Sequence, residues 1–193
     1  MTQISLFAAP TPKLPPIPGL SYHEEFIPAE LERALAVHAD AHAWDMTWKR
    51  RVQQYGFSYG AGQRESLGPL PDLFTQVGSR LVERGIFTAA PNQVIVNEYL
   101  PGQGIAAHTD YFPDVSRTVA SLSLLSPIVM DFIGPEEQKF SYLLEPRSLF
   151  VLTGPARAVW KHGIAPRKKD KFAGAIFERS RRISYTFRYL EVG

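Results

Sequence analysis

The sequence predicts a mostly β domain of the α+β class, a sandwich or barrel of short strands with helices buttressing one sheet. Three observations predict it. After residue 92 the chain breaks into short apolar or alternating runs separated by Gly, Pro, Asp and Glu clusters, as antiparallel all-β architectures do. Before residue 92 two segments repeat apolar residues every three or four positions, the period of a helix. The 193 residues show no internal repeat and nothing that suggests a second domain, so one core is expected to serve the chain.

Taken in order, residues 1–18 hold five prolines and read as a loose or surface-wrapped arm, leaving 19–193 as a single domain. "GLSYHEEFI" reads as a short strand. A helix starts near Pro28, a favoured first-turn residue, with Leu31, Ala34, Leu35 and His38 on one stripe. "LPDLFTQVGSRLVERG" is a second helix: Pro71 sits near its start, Leu73, Val77 and Leu81 recur every four residues, and Gly85 can cap its end. "QVIVNEY", "TVASLSLLS", "PIVMDFI", "FSYLLE", "SLFVLTG", "AVWKHGI" and "RRISYTFRYLEV" follow as strands.

Composition narrows the chemistry. Apolar residues make up 45% and charged residues 21%, no apolar run reaches membrane-spanning length, and the first residues lack the basic head and continuous apolar core expected of a secretory signal. The expectation is a cytoplasmic monomer with no membrane contact and no obligatory protein partner. There is no cysteine, so disulfides and thiolate metal sites are excluded, and any metal must be held by His and carboxylate. A net charge of +2 is too weak to imply nucleic acid by itself. Basic clusters at Lys49–Arg51, at Arg167, Lys168, Lys169 and Lys171, and at Arg179, Arg181 and Arg182 read either as solvated surface or as phosphate contacts.

The stretch "NEYLPGQGIAAHTD" places His108 and Asp110 two residues apart, which on a strand means the same face. The pair is either a hydrogen-bonded couple in a core or two thirds of a metal site. The chain has five His, and His162 lies on the next strand-like segment that contains one. Two His and a carboxylate on one side of an iron leave positions for a bidentate cofactor and dioxygen. His38 and His42 stand at i, i+4 with Asp40 between them but lack the HExxH context, and read as a solvated helix face. In the last strand, alternation puts Arg182, Ser184, Thr186 and Arg188 on one face and Ile183, Tyr185, Phe187 and Tyr189 on the other. The polar row either faces water or lines a barrel, where two guanidiniums and two hydroxyls suit a small dianion. Asn97 and Tyr99 share a face of their own strand and extend the same choice.

These elements occur in a telling order: Asn-x-Tyr, His-x-Asp, a distal His, then Arg-x-Ser-x-Thr-x-Arg. "NEYLPGQGIAAHTD", "PRSLFVLTGPARAVWKHGI" and "RRISYTFR" resemble the signature blocks of the AlkB family of Fe(II)- and 2-oxoglutarate-dependent dioxygenases, over about residues 19–190. The resemblance implies a double-stranded β-helix (jelly-roll) barrel and the co-substrates 2-oxoglutarate and O2. It implies that His108, Asp110 and His162 hold iron. Arg182, helped by Tyr99, would take the distal carboxylate of 2-oxoglutarate, Arg188 and Asn97 would face its metal end, and Ser184 and Thr186 would line the same pocket.

The resemblance also implies a substrate: alkylated or modified nucleobases in DNA or RNA, by oxidative dealkylation of the DNA-repair type. "SLSLLSPIVMDF" is closest in wording to the family's wobble-uridine tRNA hydroxylases, which keeps tRNA hydroxylation as an alternative beside a protein or small-molecule substrate. A binding module that kept the barrel and lost chemistry is a rival of another class, opposed by the intact ligand set. "RRVQQYGFSYG" resembles the family's nucleotide-recognition lid, with Arg51 for phosphate and Tyr55, Phe57 and Tyr59 for stacking; equally, these aromatics cover a barrel edge. Phe112 stands where repair members carry an acidic residue that reads an exocyclic amine, which points away from methyladenine and methylcytosine.

Overall fold

The computed structural model describes residues 13–47, 49–58, 64–110 and 115–191. Their elements run β1 (Leu20–His23), α1 (Ala29–Ala41), β2 (Val52–Tyr55), α2 (Asp72–Glu83), β3 (Gln93–Tyr99), β4 (Ile105–His108), β5 (Val115–Leu124), β6 (Ile128–Ile133), β7 (Lys139–Leu144), β8 (Leu149–Thr153), α3 (Gly154–Ala158), β9 (Lys161–Ile164), β10 (Lys169–Phe172), β11 (Ala175–Glu178) and β12 (Arg182–Leu190). A six-stranded sheet in the order β1-β8-β5-β12-β3-β2 faces a four-stranded sheet in the order β4-β9-β6-β7, and β10-β11 is a separate hairpin. Every pairing is antiparallel. Two such sheets wrapped face to face are the jelly roll that the family resemblance implies, within the sandwich or barrel that the strand pattern predicts.

Alternation divides each central strand between two jobs. Val94 and Val96 of β3, Ala120, Leu122 and Leu124 of β5, and Ile183, Tyr185 and Phe187 of β12 face Leu31, Leu35 and Ala39 of α1 and Phe74, Val77 and Leu81 of α2. Burying each large side chain of this set contributes about 1.5–3 kcal/mol. The Tyr185 hydroxyl finds its partner on the carbonyl of Leu35, 2.7 Å away, which ties α1 to the sheet without an orphaned polar atom. The other face of the same strands looks into the space between the sheets. There Tyr99, Met130, Phe132, Phe150, Leu152 and Trp160 form a second apolar cluster. Ile17 joins it, so the described end of the proline-rich arm, residues 13–18, lies against the barrel.

Several expectations need correction. On α1 the buried residues are Leu31, Leu35 and Ala39, while Ala34 is exposed. His38 is not simply solvated: it stacks on His42 at 4.0 Å and packs edge-on against Phe74 at 4.8 Å. "AVWKHGI" becomes a strand only from Lys161, because Gly154-Pro155 opens the short helix α3 and proline suits a first helical position. The short strands β2 and β4 and the hairpin β10-β11 have no counterpart among the runs read from the sequence. The basic cluster at 167–171 conceals that hairpin. Its turn, Ala173-Gly174, has φ of 48° and 84°, the left-handed pair a two-residue hairpin turn requires. Asp170 points inward from it, accepting from Arg179 Nε at 2.7 Å and Nη2 at 2.8 Å and from the Val129 amide at 3.1 Å.

Glu98 is the second buried acid the chain must neutralise. It is 1% exposed and lies between Arg51 and Arg181, and Arg181 reaches on to Asp40 of α1. Burial alone would raise the Glu98 pKa, but the two guanidiniums outweigh it and hold the carboxyl below its ordinary value. Glu98→Ala is therefore expected to lower stability by about 3 kcal/mol at neutral pH, in the range for breaking a buried pair. A depressed carboxyl contributes stability above its unfolded pKa and loses it as pH falls through the folded one. The gap between wild-type and variant melting temperatures should thus be full at pH 7 and shrink below the usual carboxylate range.

Candidate active site

The inward faces of the two sheets enclose a cavity of about 390 Å³. Arg182, Ser184, Thr186 and Arg188 of β12 all line it, and all four are buried. The polar row therefore faces the barrel interior, not solvent. Register sets its neighbours: Tyr99 pairs with Arg182 and Asn97 with Ser184 across β3, while Ser123 pairs with Ser184 and Ser121 with Thr186 across β5.

His108 ends β4 and His162 lies directly opposite on β9, with ring centroids 4.5 Å apart. Asp110 comes two residues later, beyond the end of the strand, so the chain's course past β4 brings it to the pair rather than strand alternation alone. One donor atom from each of the three lies within 4.8 Å of the others, and no other such group of three occurs among the described residues. Asp110 Oδ2 is 3.4 Å from His162 Nε2, while Asp110 Oδ1 accepts from Arg188 Nη2 at 2.7 Å. One carboxylate oxygen is thus anchored and the other faces the imidazoles. His108 Nδ1 lies 2.9 Å from the Ala106 carbonyl and can only donate to it, which leaves the Nε2 lone pair for a metal. Two imidazole nitrogens and one carboxylate oxygen on one side of a cavity fit Fe(II).

The electrostatics agree with that fit. Burial would raise the Asp110 pKa, but Arg188 and His162 reverse this and hold the carboxyl well below the usual range. Burial and the neighbouring His162 ring push His108 down, so it stays neutral, the form that binds metal. Arg182 is 1% exposed, donates through Nη2 to Ser123 Oγ at 2.8 Å and lies 5.3 Å from the centre of the Tyr99 ring. Its Nε has no hydrogen-bond partner among the described residues. Burial pushes its pKa down to about 10, still charged at neutral pH. A buried cation held by a hydroxyl and a ring, with no carboxylate partner among the described residues, is a seat for an anion.

β4 and β9 approach closely because residue 163 is glycine. A Cβ there would sit 2.9 Å from the Ala107 nitrogen and 3.0 Å from the Ile105 carbonyl oxygen, both backbone atoms that cannot rotate away. Gly163→Ala should force the strands apart and separate His108 from His162 with the donor set unchanged. The expected outcome is a loss of iron affinity of about tenfold or more, read as metal content after dialysis against a graded chelator.

The lid residues are placed differently from expectation. Arg51 is committed to Glu98, through Nη2 at 2.7 Å, and its guanidinium lies 4.6 Å from the Trp44 ring centre, so it serves the fold and does not face the cavity. Tyr55 packs edge-on against Phe74 at 4.8 Å, and Phe57 packs against Val119 and Leu190. The helices and the barrel end claim these two rings. Tyr59 and Phe112 lie outside the described residues. The cavity is lined instead by Arg50, Val52 and Gln54, the opposite parity of the same segment. Arg50 donates through Nε to Asn97 Oδ1 at 2.9 Å. Sequence reasoning missed Arg50, Gln54, Ser121 and Ser123. The serines could have been read from "ASLSL", whose alternation mirrors that of β12.

The 2OG-Fe(II) oxygenase superfamily model matches residues 24–188. The chain belongs to this superfamily. Among its relatives is the Xenopus tropicalis tRNA (carboxymethyluridine(34)-5-O)-methyltransferase alkbh8, 34% identical over 92% of this chain and 32% of the frog protein. The Arabidopsis thaliana alkylated DNA repair protein ALKBH8 homolog is 32% identical over 89% of this chain and 58% of its own length. The chain thus spans about a third of the first relative and just over half of the second. The solved structure of OsALKBH1 superposes with a TM-score of 0.66 at 15% identity, covering 89% of this chain and 98% of that one, which shows a shared fold. The oxygenase is of the AlkB type, an Fe(II)- and 2-oxoglutarate-dependent dioxygenase whose cofactors are Fe(II), 2-oxoglutarate and O2. No helix among its described residues is long and apolar enough to cross a membrane.

Proposed function

We propose that this dioxygenase oxidises an alkylated or modified nucleobase, with His108, Asp110 and His162 as iron ligands. Iron held by these three residues would supply the reaction of O2 with 2-oxoglutarate, in which one oxygen atom ends in succinate as CO2 leaves and the other is inserted into a substrate C–H bond; an N-alkyl group hydroxylated in this way would leave as aldehyde. The protein's residues bind and orient. Arg182 receives the distal carboxylate of 2-oxoglutarate, with the Tyr99 ring beside it and Ser123 holding one guanidinium nitrogen. Arg188 fixes Asp110 so that one oxygen stays turned to the imidazoles. Ser184, Thr186 and Asn97 present hydrogen-bonding groups to the same cavity. The apolar walls, among them Met130 and Phe150, exclude water.

The observation that carries the co-substrate reading is Arg182, a buried cation without a carboxylate partner among the described residues, in the same cavity as the His-Asp-His group. The nucleobase part rests on the relatives' named substrates, a tRNA uridine and alkylated DNA. Dealkylation repair and tRNA hydroxylation both fit that support. Incubating the iron-loaded enzyme with 2-oxoglutarate and a panel of methylated, etheno-adducted and uridine-modified DNA and RNA oligomers, with products read by mass, tests it. A mass change of +16 identifies hydroxylation and loss of the alkyl group identifies repair; succinate release with no modified oligomer would move the reading to a protein or small-molecule substrate.

A further inference from the structure

Arg179 is a buried cation outside the cavity, and none of the roles assigned above uses it. It stands where the chain leaves the β10-β11 hairpin, three residues before Arg182 opens β12 of the six-stranded sheet. Its side chain reaches the other way. Nε and Nη2 grip the two oxygens of Asp170 at 2.7 and 2.8 Å. Nη1 donates to the carbonyl of Ala165 at 2.8 Å and to that of Gln103 at 3.3 Å. Ala165 follows β9 and Gln103 precedes β4, the two strands that carry His162 and His108. Asp170 in turn accepts from the Val129 amide of β6, which neighbours β9 in the four-stranded sheet. One guanidinium thus ties the approach to Arg182 onto the sheet that carries both histidines.

The joint leaves little play. Between the two carbonyls the backbones press together: a Cβ at Gly104 would sit 2.2 Å from the Ile164 carbonyl oxygen and 3.0 Å from the Pro166 nitrogen. Burial lowers the Arg182 pKa most, and the Arg179 charge adds to that lowering, so the two guanidiniums are near neighbours. A buried ion pair gains little net stability, because desolvation offsets its attraction; what it imposes is one geometry. An arginine fork suits that task, since its planar donors fix direction as well as distance.

We propose that Arg179 is a positioning residue that fixes the separation between the His-Asp-His group and the Arg182 anion seat. A small co-substrate that meets both at once tolerates little error in that separation. The inference rests on the reading of Arg182 as the seat of the distal carboxylate of 2-oxoglutarate, and it holds whatever substrate is oxidised.

The test compares 2-oxoglutarate with glutarate, which has the same carbon chain and both carboxylates but lacks the 2-oxo oxygen and cannot chelate a metal through it. Dissociation constants of both are measured by calorimetry on the full chain with and without Mn(II), a redox-inert stand-in for iron. In wild type Mn(II) should tighten 2-oxoglutarate more than glutarate, by about tenfold or more. Arg179→Lys keeps the charge and loses the fork, and should shrink that excess to about twofold or less while metal-free glutarate affinity stays near wild type. Asp170→Asn leaves Arg179 in place, removes the charge that orients it, and should shrink the excess in the same direction. The excess compares ligands that bind one folded form, so a partial loss of folded protein cancels from it. If Arg179→Lys yields no folded protein, Asp170→Asn decides alone. An excess held at the wild-type value in the folded variants overturns the inference and leaves Arg179 a support of the fold. Equal weakening of both ligands also overturns it, by reducing its effect to charge at Arg182. Absence of any excess in wild type fails the co-substrate reading itself, and this inference falls with it.

Discussion

His108→Ala abolishes iron-dependent succinate formation and leaves the fold standing; Asp110→Ala abolishes the same activity and destabilises the protein as well. The two variants differ because the two ligands sit differently. His108 is partly exposed at the end of β4, and its ring makes its hydrogen bond to a local carbonyl, so removing it strands no charge. Asp110 is 3% exposed and is the acid paired with Arg188, itself 4% exposed. Deleting one partner of such a pair costs about 3–5 kcal/mol. Asp110→Asn separates the two losses: it keeps an oxygen for Arg188 and removes the charged metal donor, so it should melt closer to wild type while remaining inactive. Metal content, succinate release and melting temperature check all three variants. Succinate release at the wild-type rate by either alanine variant, at stoichiometric iron, would show that the metal is held elsewhere.

Arg182→Ala raises the KM for 2-oxoglutarate about ten- to a hundredfold, the loss of roughly 1.5–3 kcal/mol expected for a charge-assisted hydrogen bond. Arg181→Ala does not. The neighbours point in opposite directions: Arg182 lines the cavity, whereas Arg181 bridges Glu98 and Asp40 on the outer side. Arg181→Ala should instead lower the melting temperature, because Glu98 would keep only Arg51 for its charge. The pair of measurements, 2-oxoglutarate dependence and thermal melt, should therefore swap between the variants. Equal KM effects would put the distal carboxylate somewhere other than Arg182.

The division of β12 into two faces was legible because its two sets of residues differ sharply in polarity; that the polar one turns inward was not, since the same row would suit water. Arg, Ser, Thr, Arg against Ile, Tyr, Phe leaves no ambiguity about which residues share a face, and β3 repeats the pattern in Ile95, Asn97 and Tyr99. The lid segment carried no such contrast. Arg50, Val52 and Gln54 alternate with Arg51, Gln53 and Tyr55, and each set mixes cation, amide and apolar surface. Local period could not choose between them. The choice was made by α1 and α2, whose packed face drew Tyr55 against Phe74, and by Glu98, which drew Arg51. β10-β11 was hidden for a related reason: its lysines look like a solvated run until Asp170 is seen turned inward on Arg179.

By itself, then, the sequence determined the β class, the single polar face of the last strand and the donor types available to a metal in a chain without cysteine. Those properties depend on residue identity and on a period of two or about 3.6, both of which are local. Tertiary structure decided which of two adjacent arginines enters the cavity, that His162 stands opposite His108, and that Arg188 turns one oxygen of Asp110 toward the imidazoles. These depend on strand register and on what packs against each face, and the partners involved lie 47 to 78 residues apart in the chain.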